Sequence, residues 1–160
     1  MRPCFLVIVA TLLLCGCHSN PERTPVSVVA RFLLESDAVR TAELVLPVSG
    51  VAIRVIPKPV ISEFDIVNVE LAQVELGRCL MFQVTPGAAR DLYRLTAANQ
   101  GRRLVLLLND VPMGARVIER PLEGGVIYIF SELPEAELPG LVTRLKQTAA
   151  VIRREAAKRT

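Results

Sequence analysis

The sequence predicts an α+β domain in which a mixed, largely antiparallel sheet carries two helices packed on one face, and three features predict it. Residues 77–109 read as strand, helix, strand with clear punctuation between them. Within that stretch residues 104–108, L-V-L-L-L, form an unbroken apolar run of strand length, which suits a central strand covered on both sides. Residues 139–157 then keep an apolar stripe through Leu141, Leu145, Thr148, Ala149, Ile152 and Ala156 at helical spacing.

The central unit is justified residue by residue. Thr85 offers a side-chain oxygen to the free N–H groups of a helix start, and Pro86 suits the first helical position, where no N–H is needed. Ala88, Leu92, Leu95 and Asn99 follow the 3.6-residue period, with Ala89 and Thr96 widening the stripe. Asn99 and Gly101 tolerate the left-handed turn that ends a helix. Upstream, residues 27–35 alternate as a half-buried strand. Residues 42–48 and 51–56 form a strand pair around Pro47-Val48-Ser49-Gly50, and Pro57 and Pro59 end it. The P-K-P could also be a proline-rich ligand motif. Residues 62–66 read as a turn and 67–76 as a strand. Downstream, N-D-V-P is a tight turn, 113–119 and 126–130 are strands, and a short turn at 134–138 precedes the last helix, because Pro139 cannot donate to a preceding carbonyl. The β-α-β-β-β-α order is ferredoxin-like in outline.

Composition bounds the class. The chain has 160 residues, 51% of them hydrophobic, with no Trp, so its core is built from Val, Leu, Ile and Ala. Its formal charge is +3; without Arg2, 18 basic residues stand against 16 acidic ones, or +2, too balanced to suggest nucleic acid as a partner.

Residues 1–17 read as an export signal: Arg2 gives a positive start, and 5–14 is an apolar stretch too short for the roughly 20 residues a membrane span needs. The L-C-G-C that follows is similar to the lipobox of bacterial lipoproteins, which makes Cys17 the lipidated first residue of the mature chain. An ordinary cleaved signal and an uncleaved anchor are the competing readings. Ser19, where an Asp would cause inner-membrane retention, favours the outer membrane and a chain facing the periplasm. Residues 18–26 are a flexible tether, 27–157 the domain and 158–160 a tail. Cys4 and Cys15 leave with the signal, so Cys79 is the one thiol of the domain; it is either a reactive or intermolecular thiol or, in an apolar strand, an inert small hydrophobe. Arg144, Lys146, Arg153, Arg154, Lys158 and Arg159 make the last helix basic, which suits anionic lipid headgroups or simply complements the helix dipole.

The residues T-P-G-A-A-R-D-L-Y-R-L-T-A-A-N-Q-G-R-R-L-V-L-L-L-N-D at 85–110, V-I-E-R-P-L-E-G-G at 117–125 and the P-E-A helix opening at 134–136 resemble the head subdomain of the first periplasmic domain of the SecD/SecDF protein-export subunits. Thr85, Gly87, Ala88, Asn99 and Gly101 are fold markers of that pattern. Tyr93, Leu95, Thr96, Arg102, Asn109, Gly124, Gly125, Glu135 and Ala136 extend it, and R-F-L-L-E at 31–35 and K-P-V-I-S-E-F-D-I at 58–66 match more loosely. The resemblance implies a non-enzymatic module that touches unfolded or translocating polypeptide, or an envelope partner. Unlike that family, nothing after Cys17 is long and apolar enough to span a membrane, so coupling to ion flow is not expected.

The chemistry agrees. The sole histidine, His18, lies beside the expected anchor, so the domain holds no His-based triad or metal cluster, and it carries no G-x-S-x-G, C-x-x-C or P-loop. The close carboxylates, Glu63 with Asp65 and Glu132 with Glu135 and Glu137, read as dipole partners. No catalytic residue, metal, cofactor or small-molecule substrate is expected. The expected contacts are an exposed strand edge and the region of Met113, Arg116, Ile118, Arg120 and Leu122 with a mobile Gly124–Gly125 turn. Two functions follow: a client-binding accessory to protein export, or an assembly lipoprotein that binds one folded envelope partner.

Overall fold

The computed structural model describes residues 27–158. The expected signal and tether, Cys17 among them, and residues 159–160 lie outside the described residues. Eight strands and two helices follow in chain order: β1 (Ala30–Leu34), β2 (Ala42–Val45), β3 (Ala52–Val55), β4 (Ile66–Val74), β5 (Gly77–Val84), α1 (Pro86–Ala98), β6 (Arg103–Leu108), β7 (Val111–Val117), β8 (Val126–Ile129) and α2 (Leu138–Lys158). A single 3-10 turn at Glu135–Glu137 precedes α2, as Pro134 and Pro139 require. Lys158, expected to open the tail, closes α2 instead.

The fold is α+β, as expected, and every strand pairing among the described residues is antiparallel. The pairings fall into three groups, β1-β6-β7, β2-β3 and β4-β5-β8. The central β-α-β unit therefore crosses between groups: β5 belongs to one, α1 turns the chain, and β6 starts the other. Phe32 of β1 and Phe82 of β5 meet edge to face, centroids 5.1 Å apart, and join the two three-stranded sheets.

The apolar run of β6 is covered on both sides because its residues alternate between two clusters. Leu104, Leu106 and Leu108 enter the main core with Phe32, Phe82, Leu92, Leu141 and Leu145. Val105 and Leu107 face the other way, onto Leu33, Leu46, Ile53 and Val55. The β2-β3 hairpin is therefore the cover of the sheet's second face, and both helices share the first.

Polar contacts fix the ends of β1 and β6. The Glu35 carboxylate accepts from Arg103 Nε at 2.9 Å, from Nη2 at 2.6 Å and from the Arg103 backbone N–H at 2.8 Å. At the other end Asn109 and Asp110, both at positive φ, make the tight turn into β7. Asn109 Oδ1 accepts from Val29 N–H there, and Arg31 bridges Asp110 to Glu63 of the 62–65 turn. Pro57 and Pro59 interrupt pairing without ending it: the chain returns beside β1, where Val60 N–H donates to Phe32 O and Phe32 N–H to Ile61 O, each at 2.8 Å.

The Arg103 guanidinium holds the Glu35 carboxyl below its ordinary value of 4.5. A carboxyl depressed by folding stabilises the native state above that value and loses the contribution as pH falls through its folded pKa. Glu35→Gln is expected to lower stability at pH 7 by about 1–2 kcal/mol, with the gap to wild type closing once the paired carboxylate is protonated; urea denaturation across pH 7 to 3 measures it.

Candidate functional site

Strands β7 and β8 sit at the margins of their sheets and carry no ladder between them. They touch at one end. A Cβ on Gly114 would stand 2.3 Å from the Phe130 carbonyl oxygen, so only glycine permits this backbone approach, and Glu132 N–H donates to Met113 O at 2.7 Å next to it. Further along, the guanidinium of Arg116 takes the place of a ladder, donating from Nη1 to the Tyr128 carbonyl at 2.9 Å. The result is a notch, closed at Gly114 and open at the far end, whose groove of about 320 Å3 is lined by Arg116, Arg120, Leu122, Glu123 and Tyr128.

A second groove of about 370 Å3 adjoins it across Glu123 and Gly124, with Arg90, Tyr93 and Arg94 of α1 as its other wall. Tyr93 and Tyr128 are both exposed, so an aromatic ring and arginines stand on each side of the Glu123–Gly124 turn.

The loop from 118 to 125 is held from beneath by α1. Thr96 is fully buried; its hydroxyl donates to Leu92 O at 2.7 Å and accepts from Leu122 N–H at 2.9 Å. Gly101 N–H donates to Ile118 O, and Val84 N–H donates to Gly125 O. Gly125, at φ +68°, is buried so tightly that a Cβ would lie 2.7 Å from Cβ of Ala89.

These positions correct the expected contact set. Ile118 is a core residue and Gly125 is buried against α1 and bonded to β5, so neither offers a free surface, and Leu122, buried in the core too, reaches the notch only as part of its lining; the turn expected to be mobile is anchored through Gly125. Met113 is half-buried and acts through its carbonyl, Arg116 is half-buried, and Arg120 and Gly124 are exposed. Tyr128 and Glu123 were absent from the expected set. The period-2 alternation of Val126–Ile129, which buries Ile127 and Ile129, is the signal that turns Tyr128 outward.

The fold markers divide too. Thr85 caps α1, its Oγ1 accepting from Ala88 N–H at 3.3 Å, and Gly101 takes φ +84°. Ala88 is half-buried against the main core. Asn99 stays at negative φ and caps α1 differently, its Nδ2 donating to Leu95 O at 2.8 Å. Gly87 has open space where a Cβ would be, so local packing does not require glycine there. Cys79 is 1% exposed, and burial pushes its thiol up.

No family model matches the chain, and no curated protein matches it. Among solved structures, SecDF in its super-membrane-facing form aligns with a TM-score of 0.57 and 18% identity over 74% of this chain and 18% of that one. SecDF, as a membrane component that enhances protein export, aligns at 0.57 and 17% identity over 75% of this chain and 62% of that one. The chain thus spans less than two thirds of either protein, and it has a SecD/SecDF-like fold, as its motifs implied. Among the described residues no helix is long and apolar enough to cross a membrane.

Thr96→Val removes the acceptor of a buried backbone N–H without changing side-chain volume much. The expected cost is about 1–3 kcal/mol in urea denaturation, with faster hydrogen exchange at the Leu122 amide.

Proposed function

We propose that this protein is a non-enzymatic lipoprotein of the bacterial envelope that binds unfolded or translocating polypeptide as an accessory to protein export. The β7-β8 notch carries the reading. Two sheet margins face it, and an incoming extended segment would meet main-chain groups on either strand, which gives affinity with little dependence on sequence. The arginines and tyrosines around the notch suit a partner of mixed composition, because aromatic rings and guanidinium groups contact both apolar and acidic side chains. The likeness to SecDF, a component that enhances protein export, supports the setting. Cys17 and Ser19 supply the rest of the proposal: acyl chains on Cys17 fasten the chain to a membrane, preferably the outer one, with the domain in the periplasm.

Two experiments test this. A photo-crosslinking residue placed in cells at Arg120, Glu123 or Tyr128 is expected to trap many nascent envelope polypeptides. One dominant folded species would instead favour an assembly lipoprotein with a single partner, and no adduct at any of the three positions would sink the notch as a binding site. For the anchor, labelled palmitate is expected in the wild-type chain and not in Cys17→Ser; equal labelling of the two would remove Cys17 as the lipidated residue.

A further inference from the structure

A second surface lies away from the notch, where β1, the 62–65 turn and α2 meet. The groove here holds about 450 Å3, and its lining is mostly apolar, with Phe64 from the 62–65 turn, Val29 from the residues before β1, and Val151 and Ile152 from α2. Phe64 is 68% exposed and Val151 51% exposed, large apolar groups that a soluble surface has no reason to pair across a groove.

Phe64 is presented by a fixed turn. Ser62 donates to Asp65 Oδ2 from its N–H at 2.8 Å and from its hydroxyl at 2.6 Å, Thr85 N–H donates to Asp65 O, and Glu63 is clamped by Arg31. The ring therefore points outward because its neighbours on both sides are tied down.

The helix that supplies the opposite wall is basic as a whole, while the groove itself is lined by Arg144 together with Glu63 and Glu155. On α2, Arg144, Gln147, Val151, Glu155 and Lys158 recur at three- and four-residue intervals and share a face, with Arg154 beside it. Over the whole helix five basic residues, Arg144, Lys146, Arg153, Arg154 and Lys158, stand against Glu155 alone, which leaves +4. Lys146 faces Glu70, and Arg153 bonds back to Ala149 O. Arg144, Arg154 and Lys158 make no salt bridge among the described residues, and the Glu63 charge is already used by Arg31.

Chain direction completes the argument. Ser27 lines this groove, and Val28 N–H is bonded to Thr148 Oγ1 of α2 at 3.1 Å. Cys17 is ten positions upstream, so an acyl-anchored chain holds Ser27 within roughly 30–35 Å of the bilayer. An outward aromatic ring, an aliphatic neighbour and unneutralised arginine and lysine, on the side of the domain from which the anchor departs, match the chemistry of an anionic membrane surface.

The geometry points to the Phe64–Val151 groove as a membrane-docking face that seats Phe64 in the headgroup layer of an anionic bilayer, with Arg144, Arg154 and Lys158 on lipid phosphates. This inference leans on the Cys17 anchor for proximity, and its test keeps the two apart.

The chain has no Trp, so Phe64→Trp introduces a single tryptophan, excited at 295 nm apart from the two tyrosines. The full chain carrying it is reconstituted on vesicles of phosphatidylcholine alone or with a third of phosphatidylglycerol, each with or without phospholipid brominated near the headgroup. The expected result is a blue-shifted Trp emission, quenched at least twofold more by bromolipid in the anionic vesicles, with that excess abolished by Arg144→Glu, Arg154→Glu and Lys158→Glu together. Emission and quenching equal to those of the protein in buffer would overturn the proposal, as would quenching that ignores both lipid charge and the three reversals; a groove that takes polypeptide gives the first of these results. If the Trp variant does not fold, vesicle-bound wild type and Val151→Asp are compared by hydrogen exchange of residues 62–66: protection by anionic vesicles only in wild type supports docking, and no protection in either overturns it. The Cys17→Ser chain at high vesicle concentration separates the readings: quenching kept equally in both chains supports the face and removes the anchor, quenching in wild type alone supports a face that docks when the anchor supplies proximity, and loss in both chains rejects the face.

Discussion

Five consecutive apolar residues in β6 can be satisfied only if both faces of the strand are dry, and the rest of the domain is arranged to make them so. Leu104, Leu106 and Leu108 require the helices and the β4-β5-β8 sheet on one side; Val105 and Leu107 require the β2-β3 hairpin on the other. A slip of one residue would exchange the two sets and mismatch both clusters at once. The register is held at its ends by charge and turn geometry, with the Glu35–Arg103 pair where β6 begins and the Asn109–Asp110 turn where it stops. The hairpin is tied down in turn. The Glu132 carboxylate accepts from the N–H groups of Val48 and Ser49, and although burial pushes its carboxyl up, hydrogen bonding from the Ser49 side chain and from these two N–H groups prevails and holds it below the ordinary range.

Local chemistry made most of this architecture legible. A threonine before a proline announced α1, an asparagine–aspartate pair announced the turn after β6, and the aliphatic run announced a two-sided strand, because each depends on neighbours in sequence. The division of strands into three antiparallel groups was less visible. It depends on which face of which strand finds which partner, a long-range property that Val105 and Leu107 do not carry in themselves. Pro57 and Pro59 misled for a related reason: they remove donors locally, yet the backbone beyond them is free to rejoin β1.

The candidate site was only half readable. Ile118, near the end of the expected 113–119 strand, and Leu122, in the loop after it, have charged neighbours, which suggests exposure, but Thr96 lies 26 residues before Leu122 and draws that backbone into the core through one hydroxyl. Gly114 looks like any glycine in a strand until the Phe130 carbonyl is set against it. In both cases the decisive partner is distant in sequence and what it meets is main chain, and no residue pattern encodes that.

The Arg116 contact has one further consequence for how β8 meets its surroundings. An outer strand whose carbonyl is met by a neighbouring ladder can be approached only by rupturing several bonds together. Here a flexible side chain occupies that place, so vacating it takes a rotation about single bonds and a return of the guanidinium to water. The rim of the sheet is thereby shielded from chance pairing with its own kind, while remaining open to exchange.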